Sequence, residues 1–186
     1  MISEGIMIRE KTVCFSGHRP YKLITDGASP EKVLPMIQSM LYFEITEAIK
    51  DGFENFISGM AAGVDLWAAR YVLSLRNRYP QIKLVCAVPY RGQGSKLRGE
   101  ELFEYSTIIS AASEVITLSE SYHRDCFRKR NEFMVDNSAR LIAVVSDYRS
   151  GTGQTINYAR KNKLDLRIID AKKYCVAQFA AEHDKK

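Results

Sequence analysis

Short apolar runs alternate with stretches of helical period from one end of the chain to the other. Runs at about 11–16, 54–58, 82–88, 114–118, 140–146 and 165–169 have the length of strands. Several, such as Leu141-Ile142-Ala143-Val144-Val145, are continuously apolar, as strands buried on both faces are. Between the first two, Ser29-Pro30 offers a cap and an N1 proline. Val33, Ile37, Met40, Leu41, Glu44, Ile45, Ala48 and Ile49 then keep an i, i+3, i+4 stripe up to Asp51-Gly52, which predicts a helix over about 30–50. A second helix opens at Gly63-Val64-Asp65 and runs through Trp67, Ala68, Tyr71, Val72 and Leu75 to the break at Tyr79-Pro80. Further helices are predicted near 96–112, 122–138 and 153–162, and the last fifteen or so residues as a peripheral helix.

Strands alternating with helices predict an α/β fold: a Rossmann-like, doubly wound, mainly parallel sheet with helices on both faces. No linker rich in Pro, Gly or Ser divides the chain. The expectation is one domain over 1–186, with a core of about 11–170 and a peripheral tail at 171–186. In such sheets ligands sit outside the carboxyl ends of the strands, where the strand order reverses.

The glycines fall at that edge. Ser16-Gly17-His18-Arg19-Pro20 follows the first strand, Ser58-Gly59-Met60-Ala61-Ala62-Gly63-Val64-Asp65 the second, and Ser150-Gly151-Thr152-Gly153 the fifth. A turn free of side chains that opens a helix leaves unpaired N–H groups facing outward, and these suit an anion. The chain is therefore expected to bind something that carries phosphate. Gly59 and Gly63 have three residues between them, which excludes the dinucleotide fingerprint, and no Gly-Lys-Ser/Thr follows to make a Walker A loop. Arg19 offers a planar fork of donors and His18 a ring that titrates near neutrality. After the third strand, Val88-Pro89-Tyr90-Arg91-Gly92-Gln93-Gly94 adds another glycine-containing loop. Arg130 and Asn131 precede the fifth strand, and Ser150, Gly151, Thr152 and Thr155 follow it. No nucleophile and base pair is visible, so no catalytic residue is assigned.

Composition narrows the classes. Of 186 residues 46% are hydrophobic and 26% charged, with five prolines, which describes an ordinary globular protein. A net charge of +5 is compatible with an anionic partner, and Arg124, Arg128, Lys129 and Arg130 make a local basic cluster. No apolar run approaches the roughly 20 residues of a membrane span, and the first residues, with Glu4, Arg9, Glu10 and Lys11, lack a secretory apolar segment. A cytoplasmic protein without a membrane partner is expected. The four cysteines include no C-x-x-C pair and read as free thiols, so neither a metal nor a cofactor is called for. Apolar helix faces leave open whether copies of the chain associate.

The motifs together closely resemble the YpsA-like proteins of the SLOG superfamily, which joins DNA-processing protein A (DprA/Smf) and the LOG phosphoribohydrolases in one Rossmann-like fold. The resemblance rests on Ser16-Gly17-His18-Arg19-Pro20, on Gly59 to Asp65 with Ala61 and Gly63 inside, and on Val88-Pro89-Tyr90 with Gln93. It also rests on Arg130-Asn131 with Met134-Val135-Asp136, and on Ser150-Gly151-Thr152 with Thr155 and Tyr158-Ala159. It implies binding of a nucleotide or a nucleotide-derived, ADP-ribose-like small molecule. In that comparison Gly17, Arg19, Gly59, Gly63, Arg130, Gly151, Thr152 and Thr155 hold phosphates and ribose, while Asp65 and Asn131 fix sugar hydroxyls.

LOG enzymes, which cleave the N-glycosidic bond of a nucleoside monophosphate, are similar in the arginine before the fifth strand and the Gly-Thr after it. Their glutamate is Thr155 here, and a threonine carries no charge to stabilise an oxocarbenium-like transition state. As an alternative, a hydrolase would need its carboxylate from Glu100, Glu101, Glu132, Asp136 or Asp147, with His18 as acid or base. The second alternative, single-stranded DNA as partner, follows from the likeness of Ser58 to Asp65, Arg130-Asn131 and Ser150-Gly151-Thr152 to DNA-processing protein A.

Overall fold

The computed structural model describes residues 7–25 and 27–183. Six strands, β1 (Thr12–Gly17), β2 (Asn55–Ser58), β3 (Lys83–Val88), β4 (Glu114–Thr117), β5 (Arg140–Val145) and β6 (Asp165–Asp170), form one sheet. All five pairings are parallel, in the order β4-β3-β2-β1-β5-β6. The helices are α1 (Pro20–Leu23), α2 (Pro30–Lys50), α3 (Val64–Leu75), α4 (Gly99–Ala111), α5 (Cys126–Asp136), α6 (Gly151–Lys161) and α7 (Ala171–His183).

Successive side chains of a strand point to opposite faces, and here they feed two cores. Val13, Phe15, Phe56, Leu84, Cys86, Ile142 and Val144 pack with α2, α3 and Ile108 of α4 on one face. Cys14, Ile57, Val85, Ala87, Leu141, Ala143 and Val145 pack with Met134 and Val135 of α5 and Ile156 and Ala159 of α6 on the other. Burial on both faces is why these strands read as unbroken apolar runs. The stripe on α2 turns Val33, Ile37, Leu41, Ile45, Ala48 and Ile49 inward. Leu66 and Trp67 are buried in the first core.

The structure differs from the sequence expectation at several points. The helix expected over 122–138 is the shorter α5, because the chain turns at Asp125, which takes the N-cap position, and the Cys126 N–H donates back to His123 O. The helix after β5 starts at Gly151 rather than at 153, since the Ser150 side chain caps it by accepting from the Gly153 N–H. The tail expected to be peripheral contains α7, which docks on α2 with Ala171, Cys175 and Gln178 buried. Gln178 accepts from the Ser29 N–H at 2.8 Å. All four cysteines are free and buried, and burial pushes the Cys14 and Cys86 thiols up to about 12.

Candidate functional site

The strand order reverses between β1 and β5. Strands β1 to β4 step away in one direction, and β5 returns to pair along β1, with Ser16 opposite Ala143 and Gly17 opposite Val144. The exits of these two strands lie side by side at the carboxyl edge. His18 stands between them, 6% exposed. Its Nδ1 lies 2.9 Å from Ser146 Oγ and accepts from the Ser146 N–H at 3.2 Å. A backbone N–H can only donate, so Nδ1 is the lone-pair nitrogen and Nε2 donates to Ser150 Oγ at 2.7 Å. Ser150 Oγ donates in turn to Asp147 O. Burial, with the Lys22 charge second, holds the ring's pKa below the ordinary histidine value, so the ring is neutral at pH 7. Arg19, next along, is exposed, and its side chain makes no hydrogen bond or ion pair among the described residues.

The β2 exit is tightly built. Met60 and Gly63 take positive φ, 58° and 92°, and Met60 is the costlier of the two because it carries a side chain. Ser58 Oγ donates to Asp65 O and accepts from the Met60 N–H. A Cβ on Gly63 would meet Pro20 Cδ at 2.8 Å and His18 O at 3.0 Å, and one on Gly17 would overlap Val64. These glycines let the first and second strand exits touch each other. Gly59 is closed as well: a Cβ there would collide with the Arg130 guanidinium.

Arg130 and Asp65 form a buried ion pair, Nη1 to Oδ2 at 3.3 Å, and Arg130 Nη1 also donates to Gly59 O. Burial pushes the Asp65 carboxyl up and the Arg130 guanidinium down, each against the pull of the other's charge. The Ala61 N–H donates to the same Asp65 oxygen at 3.3 Å. Gln93 Nε2 donates to Met60 O at 3.0 Å, which ties the β3 exit, with its buried Pro89, to this loop. Much of this polar group therefore points at the protein rather than at open space.

The third exit is open. Gly151 is exposed at the first position of α6, and a Cβ there would meet nothing within 4 Å. Gly153 is the opposite case, since its Cβ would overlap Tyr148 O. Thr152 is buried behind them. Asn131 Nδ2 donates to Thr155 Oγ1 at 2.9 Å, and Thr155 Oγ1 donates to Gly151 O at 3.0 Å. This pair bridges α5 to α6 at the edge of a groove of about 480 Å³ that Gly151 also lines.

The structure thus brings Gly17, His18, Arg19, Gly63, Ser150, Gly151 and Thr152 around the reversal point. Gly59, Ala61, Asp65, Gln93 and Arg130 form an internal brace beside it, and Asn131 and Thr155 face the α5–α6 groove. Tyr90 joins two residues that the sequence reading passed over, Tyr122 and Phe127, in an aromatic cluster. The one signal for those two in the sequence is their nearness to Arg124 and Arg128. Among the described residues no three His, Cys, Asp or Glu converge to hold a metal ion, and no helix is long and apolar enough to cross a membrane.

A six-stranded parallel sheet with its glycine-bearing exits gathered on the carboxyl edge defines an α/β protein of the Rossmann-like class. The chain belongs to the YpsA family, described as the YspA SLOG family, whose model matches residues 13–174. It is 28% identical over 150 residues to the SPbeta prophage-derived protein YoqJ of Bacillus subtilis (strain 168), covering 74% of this chain and 84% of that one. It is 27% identical over 159 residues to a UPF0398 protein of Bacillus cereus (strain G9842), covering 84% and 85%. Among solved structures it is similar to DNA processing protein A from Helicobacter pylori, described for its single-stranded DNA binding mode. That likeness has a TM-score of 0.56 at 16% identity and covers 90% of this chain and 72% of the other.

Proposed function

We propose that the chain binds a nucleotide or nucleotide-derived ligand, of the ADP-ribose type, at the carboxyl edge, with its phosphate at the start of α6. The observation that carries this reading is the state of Gly151. It sits in open space at a helix N-terminus, where the first N–H groups and the helix dipole favour an anion. Arg19, exposed and without a partner, supplies a cation at the adjacent exit. Binding is favoured over glycosidic cleavage because Thr155 holds the position of the LOG carboxylate and its hydroxyl is engaged with Asn131 and Gly151.

Calorimetry with inorganic phosphate, AMP and ADP-ribose tests the reading. Saturable binding of AMP or ADP-ribose is expected, lost in Gly151→Val while the urea midpoint stays in place. A folded protein that gives no saturable heat with any of the three overturns it. A second reading, single-stranded DNA, is favoured by the likeness to DNA processing protein A. It predicts oligonucleotide binding that weakens steeply with salt as phosphate counterions are released, and an oligonucleotide that fails to bind at low salt removes it.

A further inference from the structure

Three aromatic rings from separate stretches of chain meet beside the α5–α6 groove. Tyr90 follows β3, Tyr122 precedes α5 and Phe127 lies in its first turn. The Tyr90–Tyr122 centroids are 5.5 Å apart, Tyr90–Phe127 6.2 Å and Tyr122–Phe127 6.3 Å, all edge-to-face. Tyr122 is 63% and Phe127 42% exposed, so apolar ring surface that a fold ordinarily buries is held out to solvent in a fixed cluster. Phe127 is also a wall of the groove of about 480 Å³, together with Arg124, Asn131, Gly151 and Thr155. That volume lies in the range of small-ligand sites.

The charges beside the rings divide in a telling way. Arg128 is occupied by Asp125 and Glu132, at 3.4 and 2.9 Å. Arg124 makes no hydrogen bond or ion pair among the described residues. The groove is therefore lined by one ring of the cluster, Phe127, by the uncommitted Arg124 guanidinium and by the first residue of α6. A flat aromatic group carrying a phosphate has both complements, whereas a sugar phosphate leaves the rings wet.

We propose that Tyr90, Tyr122 and Phe127 stack the base of a nucleotide whose phosphate lies toward Arg124 and Gly151, so that the ligand class carries an intact nucleobase. The proposal rests on the function proposed above and adds the place where the base is held. The same chemistry is presented by a free nucleotide and by a nucleotide within a single strand.

The test titrates the full chain with AMP, ribose 5-phosphate and a six-nucleotide deoxyadenosine oligomer, in wild type, Tyr122→Ala and Phe127→Leu. Both side chains are exposed, so folding is expected to hold and is checked by the urea midpoint. AMP affinity is expected to fall about tenfold in each variant, with ribose 5-phosphate weaker than AMP in wild type and unaltered by the substitutions. Oligomer binding tighter than AMP and steeply salt-dependent assigns the strand as source, and AMP binding as tight or tighter assigns the free nucleotide. AMP affinity unchanged in both variants, or ribose 5-phosphate equal to AMP, overturns the base subsite and leaves phosphate binding at the edge intact. Absence of binding by all three probes overturns the base subsite, and the ADP-ribose titration above then decides the function it rests on.

Discussion

Gly151 and Gly153 lie two residues apart and call for opposite outcomes. Gly151→Val places a side chain in open space at a position without positive φ. The unfolding free energy is expected to stay within about 0.5 kcal/mol of wild type, while calorimetry with AMP shows loss of binding. Gly153→Ala drives a Cβ into Tyr148 O and is expected to cost about 1–3 kcal/mol in urea unfolding. Arg130, a phosphate ligand in the sequence reading, has its guanidinium turned inward to Asp65 and Gly59 O. Arg130→Ala would strand a buried carboxylate, at a cost of about 3–5 kcal/mol. An unchanged urea midpoint in that variant would show the guanidinium to be free for a ligand.

His18 sets a pH dependence on the same scale. Its folded pKa lies below its unfolded value of about 6.5. The unfolded chain therefore binds the proton first as pH falls, and stability present above about pH 6.5 is lost as pH drops toward the folded pKa. Urea midpoints measured from pH 7.5 downward check this against His18→Asn, in which that component is absent. An NMR titration of the ring with a midpoint at or above the ordinary value would contradict it.

At the scale of elements, the two ends of β5 do different work. Its amino end carries Arg140, which reaches Asp51 at the end of α2 at 2.8 Å and Asp165 of β6 at 2.7 Å, and lies over the Phe53 ring at 4.5 Å. Asp51 and Asp165 are about half exposed and remain hydrated without it, which moderates the loss. Arg140→Met is expected to lower stability by about 1–3 kcal/mol while AMP affinity is unchanged, because the ligand edge is at the other end of the strand. Urea unfolding and calorimetry on the same preparation separate the two effects. The elements themselves were legible wherever apolar period is strong, as in α2 and the buried strands. The start of α5 was not, because 122–125 carries no period and a cap at Asp125 decides it.

For the whole molecule, α7 matters more than its place at the end of the chain suggests. Ala171 and Cys175 belong to the same core as α2 and α3, and Cys175 donates to Leu23 O at 3.6 Å. A chain ending at Asp170 would expose that face of α2. Its melting temperature is expected to fall by about 5–15 °C, from about 2–4 kcal/mol of lost burial; a melt within about 2 °C of the full chain would make α7 dispensable. The fold class, the strand positions and the glycine turns at the carboxyl edge were determined by the sequence alone, because burial on two faces and freedom from a Cβ are properties of single residues and their spacing. Tertiary structure decided the partners. Arg130 finds Asp65, His18 finds Ser150, and Tyr90 finds Tyr122 and Phe127 across distances in sequence that no local period spans. A buried polar group takes the nearest group that satisfies it, and an exposed ring whatever the converging loops set beside it, so both depend on where the sheet delivers its strand ends.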